Sequence, residues 1–211
     1  MSATKTIATL LSCLLFGPAA AGDAEVTAAA RPAGPGAYWY VSLGDFEGAE
    51  IDSLESSDEG GFGLGAGYGR YVRKDLALEF EASVSSTDYE LPSELAASSA
   101  DSLTLDTTGI LVNVKLFRTL GRMRPFAGVG LGVGMTALSV YDDSYYYATE
   151  PLEDEFSVLS QILLGADFRL KKRHHLGMSY RRLIAFDDFD WLGEDVDPGG
   201  DSFLLAYRYE F

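Results

Sequence analysis

Arg124-Pro125-Phe126-Ala127-Gly128-Val129-Gly130-Leu131-Gly132-Val133-Gly134-Met135 is the stretch whose reading decides the fold. Gly128, Gly130, Gly132 and Gly134 share one parity, and Val129, Leu131, Val133 and Met135 share the other. Successive side chains of a β-strand point to opposite faces, so the stretch carries an apolar band on one face and nearly bare backbone on the other. A helix is disfavoured, because each interior glycine would cost it about 1 kcal/mol. Glycine also packs poorly within a strand, so the bare face implies that something bulky approaches from that side.

The same alternation runs along the chain. Gly61, Gly63, Gly65, Gly67 and Gly69 alternate with Phe62, Leu64, Ala66 and Tyr68. Leu76, Leu78, Phe80, Ala82 and Val84 alternate with Ala77, Glu79, Glu81, Ser83 and Ser85, and Ile110, Val112, Val114 and Leu116 with Leu111, Asn113 and Lys115. Phe203, Leu205, Tyr207, Tyr209 and Phe211 alternate with Leu204, Ala206, Arg208 and Glu210. A soluble sandwich or lipocalin-like barrel would alternate too, so periodicity leaves open which face is inside.

The ends of the chain narrow the choice. Its 211 residues are most simply one domain, and 47% hydrophobic content excludes a disordered protein. Lys5, the apolar run Ile7 to Ala21 and the small residues Ala19-Ala20-Ala21-Gly22 describe a secretory signal peptide over 1–21, cut near Ala21. Leu10-Leu11-Ser12-Cys13 loosely fits a lipidation box, but the apolar run continues past Cys13 through Phe16. Cleavage near Ala21 removes the one cysteine and with it any disulfide. Residues 22–36, rich in Ala, Pro and Gly, read as a flexible periplasmic leader, which leaves 37–211 for the folded unit. No later run reaches the ~20 apolar residues of a membrane helix. A secreted chain of this kind is soluble or a membrane β-barrel, the other structure that satisfies its backbone in lipid.

Eight strands are expected, at about 37–47, 60–71, 76–88, 104–118, 124–141, 155–170, 175–187 and 202–211. The connections at 72–75, 119–123 and 171–174 are short, while 48–59, 89–103, 142–154 and 188–201 are long. Short turns on one side and long loops on the other suit an outer-membrane barrel, with the short side periplasmic. Charge sorts along the same axis. The long loops and their edges hold 24 of the 32 acids and no Lys or Arg, whereas the short turns and their edges hold ten of the 16 bases, Arg73, Arg122, Arg124 and Lys172 among them. A net charge of −16 argues against a nucleic-acid partner.

These residues resemble the eight-stranded outer-membrane β-barrel family of OmpA/OmpX-type and opacity-protein-like proteins. Arg124 to Gly132 resembles that family's Pro-aromatic-x-Gly-x-Gly opening of a central strand, and Trp39-Tyr40-Val41-Ser42-Leu43-Gly44 its first strand. Phe203 to Phe211 resembles its terminal strand, so Tyr207, Tyr209 and Phe211 are implied as the signal read by barrel-assembly machinery. The resemblance, over 37–211, implies an all-β, antiparallel up-and-down transmembrane barrel with four long extracellular loops, three short periplasmic turns and both termini periplasmic. It is specific for fold and weak for function.

Side-chain chemistry adds three expectations. The lumen-facing set includes Glu79, Glu81, Asp167 and Glu210 with Lys115, Arg169, Arg181 and Arg208. Because an eight-stranded barrel is just wide enough for side chains to fill, and buried charges need partners, these are expected to form an ion-paired plug; unrelated water-exposed residues are the alternative. The glycine faces would then give room to the long side chains opposite. Arg182 shares the parity of Leu176, Met178, Tyr180, Ile184 and Phe186, so either a bulge turns it inward or it snorkels to headgroups from the lipid face. The acidic loops offer weak divalent-cation candidates in Asp187, Asp188, Asp190, Asp195 and Asp197; no spacing matches an EF-hand, and a merely solvated anionic surface explains them as well.

Barrel enzymes that modify lipid A need a His near a Ser and a carboxylate. His174 and His175 fall at a short turn, at the end away from the outer leaflet. No zinc cluster, phosphate loop or nucleotide fingerprint occurs, and no cofactor is expected. The sequence therefore points to a non-enzymatic, monomeric outer-membrane barrel with a structural or surface-interaction role. A narrow ion or solute channel is the alternative, and a lipid A-modifying enzyme a weaker one. Outer-membrane lipid and lipopolysaccharide are expected as surroundings, with divalent cations or a host or surface ligand at the loops.

Overall fold

The computed structural model describes residues 36–48, 55–56, 61–90, 100–142, 153–186, 189–191, 194–196 and 199–211. The stretches read as signal peptide and leader lie outside them except for Gly36, as does most of the connections 48–59, 89–103 and 142–154 and part of 188–201. The strands are β1 (Ala37–Gly48), β2 (Glu55–Ser56), β3 (Gly61–Arg73), β4 (Leu76–Glu90), β5 (Ala100–Phe117), β6 (Met123–Asp142), β7 (Glu153–Arg169), β8 (His174–Ala185), β9 (Phe189–Trp191), β10 (Glu194–Val196) and β11 (Gly200–Glu210). Every pairing is antiparallel, and the order β4-β3-β1-β11-β8-β7-β6-β5 closes on itself through β4 and β5. Eight strands thus make the wall, as the alternation predicts.

Three short strands were not legible in the sequence. β2 extends the sheet beside Tyr89 and Glu90, and β9 pairs with β10 in a separate hairpin. β5 also begins at Ala100, earlier than expected, because Ser102 and Leu103 continue the ladder with Tyr141 and Val140.

Apolar side chains cover the outside. Val129, Leu131 and Val133 are 60%, 59% and 41% exposed, while Glu79, Gln161 and Arg181 on inward positions are each 1% exposed. A water-soluble fold has the opposite arrangement; an apolar belt around a polar interior suits lipid. The three short connections lie at one end of the barrel, which we call the turn end. There Leu120 and Met123 exchange backbone hydrogen bonds of 2.8 and 3.0 Å, and Gly121 turns the chain at φ 62°, a conformation that costs other residues more.

Candidate functional site

The glycine faces turn inward and admit the side chains that fill the lumen. A Cβ at Gly69 would lie 2.2 Å from the Tyr38 ring, and one at Gly67 would lie 2.5 Å from the Tyr40 ring. On β6, a Cβ at Gly128 would lie 2.8 Å from Lys115 Cγ, and one at Gly130 would lie 2.0 Å from Asn113 Oδ1. The bare backbone noted in the sequence is therefore the complement of the largest inward residues.

Those residues form two polar layers. In the layer nearer the turn end, Arg208 Nη1 lies 2.5 Å from Asp167 Oδ2, and Lys115 Nζ lies 2.6 Å from Glu79 Oε2. Tyr38 donates its hydroxyl to Glu79 Oε1. Arg124 Nη2 bridges Asp167 at 3.2 Å and Glu210 at 3.0 Å, and Tyr71 donates to Glu210 at 2.7 Å. The cations also stack on rings: Arg208 sits 4.4 Å from the Tyr38 centroid and Arg124 sits 4.6 Å from that of Phe117. Tyr38, Tyr40, Phe117, Phe126 and Leu163 pack around this layer and keep water out, which strengthens each pairing.

The second layer centres on Glu81. Its Oε2 accepts from Tyr40 at 2.8 Å, Asn113 at 2.6 Å and Gln161 at 3.2 Å, while Arg181 Nη1 reaches Oε1 at 3.3 Å. Gln161 donates to Asn113 Oδ1 at 2.6 Å, and Arg181 Nη2 donates to Ser202 at 3.3 Å. Between the layers, a cavity of about 20 Å³ touches Glu81, Lys115, Asp167 and Arg208, enough for about one water. Leu111, Leu159 and Leu183 then close the lumen above Glu81.

This geometry is a closed barrel with a filled interior and an apolar outer surface, and the comparisons agree with the fold. A family model described as the outer membrane protein beta-barrel domain matches residues 8–211. The chain belongs to that family. Among solved structures it is similar to Neisserial surface protein A, at 14% identity and a TM-score of 0.55, over 83% of this chain and 97% of that one. It is similar also to OprG of Pseudomonas aeruginosa, at 14% identity and a TM-score of 0.53, over 84% of this chain and 96% of that one. Ail, the attachment invasion locus protein of Yersinia pestis, solved with the heparin analogue sucrose octasulfate, matches at 13% identity and a TM-score of 0.50, over 83% and 99% of the two chains. At such identities the likeness concerns the fold. No curated protein sequence matches the chain.

For an outer-membrane barrel, the site residues named from sequence fall into three groups. Glu79, Glu81, Lys115, Asp167, Arg181 and Arg208 are buried in the lumen, with Glu210 half-buried at its turn end. Arg169 is not among them: it is the last residue of β7, is exposed, and donates to the Gly121 carbonyl at 3.3 Å. Inward parity fails there because the wall ends. Arg124, Asn113 and Gln161 were missing from the expected set although they share the inward parity of their strands, which was the available signal. His175 likewise points inward, its Nε2 lying 3.4 Å from Glu210 Oε2.

The second group faces out at the turn end. Tyr207 and Tyr209 pack against Trp39 with ring centroids 5.6 and 6.1 Å apart, and Tyr209 meets Phe211 edge-on at 5.6 Å. His174 Nδ1 lies 2.6 Å from the Tyr207 hydroxyl, so the aromatic girdle carries polar atoms where lipid gives way to water. The third group comprises the loop acids: Asp187, Asp188 and Asp197 lie outside the described residues, and Asp190 pairs with Asp195 between β9 and β10.

Of its two expected positions, Arg182 takes the outward one. The ladders through Arg181 and Arg182 run without a register shift on both neighbouring strands, so no bulge turns it inward. It is on the outer face near the loop end of β8, 3.6 Å from Asp201.

Proposed function

We propose that this protein is a non-enzymatic, monomeric outer-membrane barrel that works through its loop surface and not through its lumen. Both termini then lie in the periplasm, and the four acidic loops face outward. The observation that carries this reading is the closure of the interior around Glu81, whose carboxylate is held by four donors from four different strands. A solute would have to break those bonds and pass the leucine collar beyond them. The acid-only loops in a chain of net charge −16 favour a positively charged partner or divalent cations and oppose a polyanion. Lipopolysaccharide and lipid surround the barrel, and recognition of the last strand by assembly machinery would place it there.

Planar-bilayer recordings of the refolded full chain test the lumen. The expected result is an absence of discrete conductance steps; regular steps would favour a narrow channel. Oligolysine, a defined cationic probe, tests the loops: it should bind in a salt-sensitive manner, and exchange of the loop acids for amides should abolish that binding. Unchanged lipid A mass spectra from cells with and without the protein are the expected sign that it is not a lipid A enzyme.

A further inference from the structure

The turn end of the lumen holds an ionisable group that the two polar layers leave without a firm partner. His175 lies on the inward face of β8, is 5% exposed, and its Nε2 makes no hydrogen bond. The carboxylate oxygen within reach is Glu210 Oε2, 3.4 Å away. Glu210 divides its two oxygens between partners. Oε1 accepts from Tyr71 of β3 at 2.7 Å and lies 3.0 Å from Arg124 Nη2 of β6, while Oε2 faces the imidazole. The Glu210 side chain is 24% exposed, so the cluster stands at the mouth of the lumen.

The strands around His175 all present charged or titratable groups. β11 brings Arg208, which is its register partner, and Glu210; β7 brings Arg169, also a register partner, and Asp167. β6 contributes Arg124, β3 Tyr71 and β1 Tyr38, with Glu79 and Lys115 deeper and 2.6 Å from each other. Most of these are already engaged. Arg208 lies 2.5 Å from Asp167, Tyr38 donates to Glu79, and Arg169 is exposed and donates to the Gly121 carbonyl. Among the described residues the paired lumen charges balance: Glu79, Glu81, Asp167 and Glu210 against Lys115, Arg124, Arg181 and Arg208. That balance holds while His175 is neutral. A proton on the imidazole adds one cation, and the group it faces is the free oxygen of Glu210. Arg124 and Arg208 oppose that charge, but each is held by a carboxylate, and Arg124 meets Glu210 through the other oxygen. A hydrogen bond between two ionised groups is shorter and about twice as strong as one between neutral groups.

We propose that His175 and Glu210 form an acid-engaged lock at the turn end of the barrel. When the imidazole is protonated, Nε2–H donates to Glu210 Oε2, and the carboxylate then ties β8 to β6 and β3 across the lumen. The contact exists only with the proton in place. It therefore adds stability below the histidine range and is lost as pH rises through that range, about pH 5 to 8. His174 is not part of the lock, because its Nδ1 lies 2.6 Å from the Tyr207 hydroxyl in the outer girdle. The lock depends neither on which side the loops face nor on what they bind.

Urea unfolding of the refolded full chain in phosphatidylcholine vesicles tests it, with one series at about pH 5 and another at about pH 8. Wild type should be more stable in acid, with a folding equilibrium constant about tenfold larger, the size of one charge-assisted hydrogen bond. H175Q, which keeps a neutral polar group in place, should lose that gain. E210Q should lose it too although His175 remains, and it carries the test if H175Q fails to fold. H174Q should keep the wild-type profile. Folding of each variant is read from heat-modifiable gel mobility. H174Q also leaves His175 as the single histidine, so its imidazole nitrogen resonances can be read directly. They should show a protonated, hydrogen-bonded Nε2 in acid, and E210Q in that background should remove the hydrogen bond. An acid gain of wild-type size in H175Q or E210Q would overturn the lock. So would an acid gain that H174Q abolishes, or a wild type no more stable in acid than in base.

Discussion

Glu81 on β4 and Arg181 on β8 meet at 3.3 Å across the full width of the barrel. Around the wall, β3, β1 and β11 separate them in one direction and β5, β6 and β7 in the other. A pair spanning the diameter holds the opposite walls together and occupies the middle of the lumen. Removing one partner leaves the other buried and unpaired, so E81Q or R181M should each destabilise the refolded barrel by about 3–5 kcal/mol. The double variant should lose less than the sum of the two, because no orphan charge remains. Urea unfolding in lipid vesicles measures this, and full additivity would show that the pair is not coupled.

Gly130 makes a second case. A Cβ there would lie 2.0 Å from Asn113 Oδ1 and 2.8 Å from Gln161 Cγ. Asn113 cannot swing aside freely, because it donates to Glu81 at 2.6 Å and accepts from Gln161 at 2.6 Å. G130A should therefore cost about 1–3 kcal/mol through overpacking. N113A/G130A should lose less than the two single changes added together, since the first removes the atom that the second strikes. The same unfolding measurement reports both.

Much of this was legible in the sequence, and the exceptions have a physical cause. Alternation places Glu79, Glu81 and Arg208 on one face, and the run of glycines opposite Tyr38, Tyr40 and Lys115 shows where bulk must fit. Parity is blind to depth. It cannot show that Arg169 stands where the wall ends while Asp167, two residues earlier, remains buried. Neither does it identify which neutral groups complete a charge's hydrogen bonds, and so Asn113 and Gln161 were missing from the expected set. The sequence groups Arg124 with the turn-end bases because it adjoins a turn; the inward face of its strand puts it beneath Tyr71 and Phe117.

The outward aromatics of β11 give a third prediction. Tyr209 packs on Trp39, His174 and Phe211, and Phe211 donates its backbone N–H to the Ala37 carbonyl at 2.9 Å, closing the seam between the first and last strands of the wall. Deleting Phe211, or replacing Tyr209 and Phe211 with serine, strips the girdle at the seam between the first and last strands of the wall. The amount of heat-modifiable protein in outer-membrane fractions should fall several-fold. Wild-type levels of folded protein would mean that neither residue serves assembly.

Arg124 and Arg169 lie near the same end of the barrel and offer a paired test of the plug. Arg124 is 5% exposed, bridges the carboxylates of Asp167 and Glu210, and stacks over Phe117. R124M would leave Asp167 with Arg208 alone and Glu210 with Tyr71 and His175, and it exchanges a paired buried cation for an apolar chain of similar length. Because that removes one member of a buried network, the cost should reach about 3–5 kcal/mol. Lysine at this position keeps the charge but presents a point and not a fork, so R124K should fall between wild type and R124M. Arg169, exposed and bonded to one backbone carbonyl, should tolerate R169M within about 0.5 kcal/mol. Unfolding midpoints of the three variants in one lipid decide the matter: equal losses for R124M and R169M would mean that the turn-end charges act as a solvated rim and not as a lumen network.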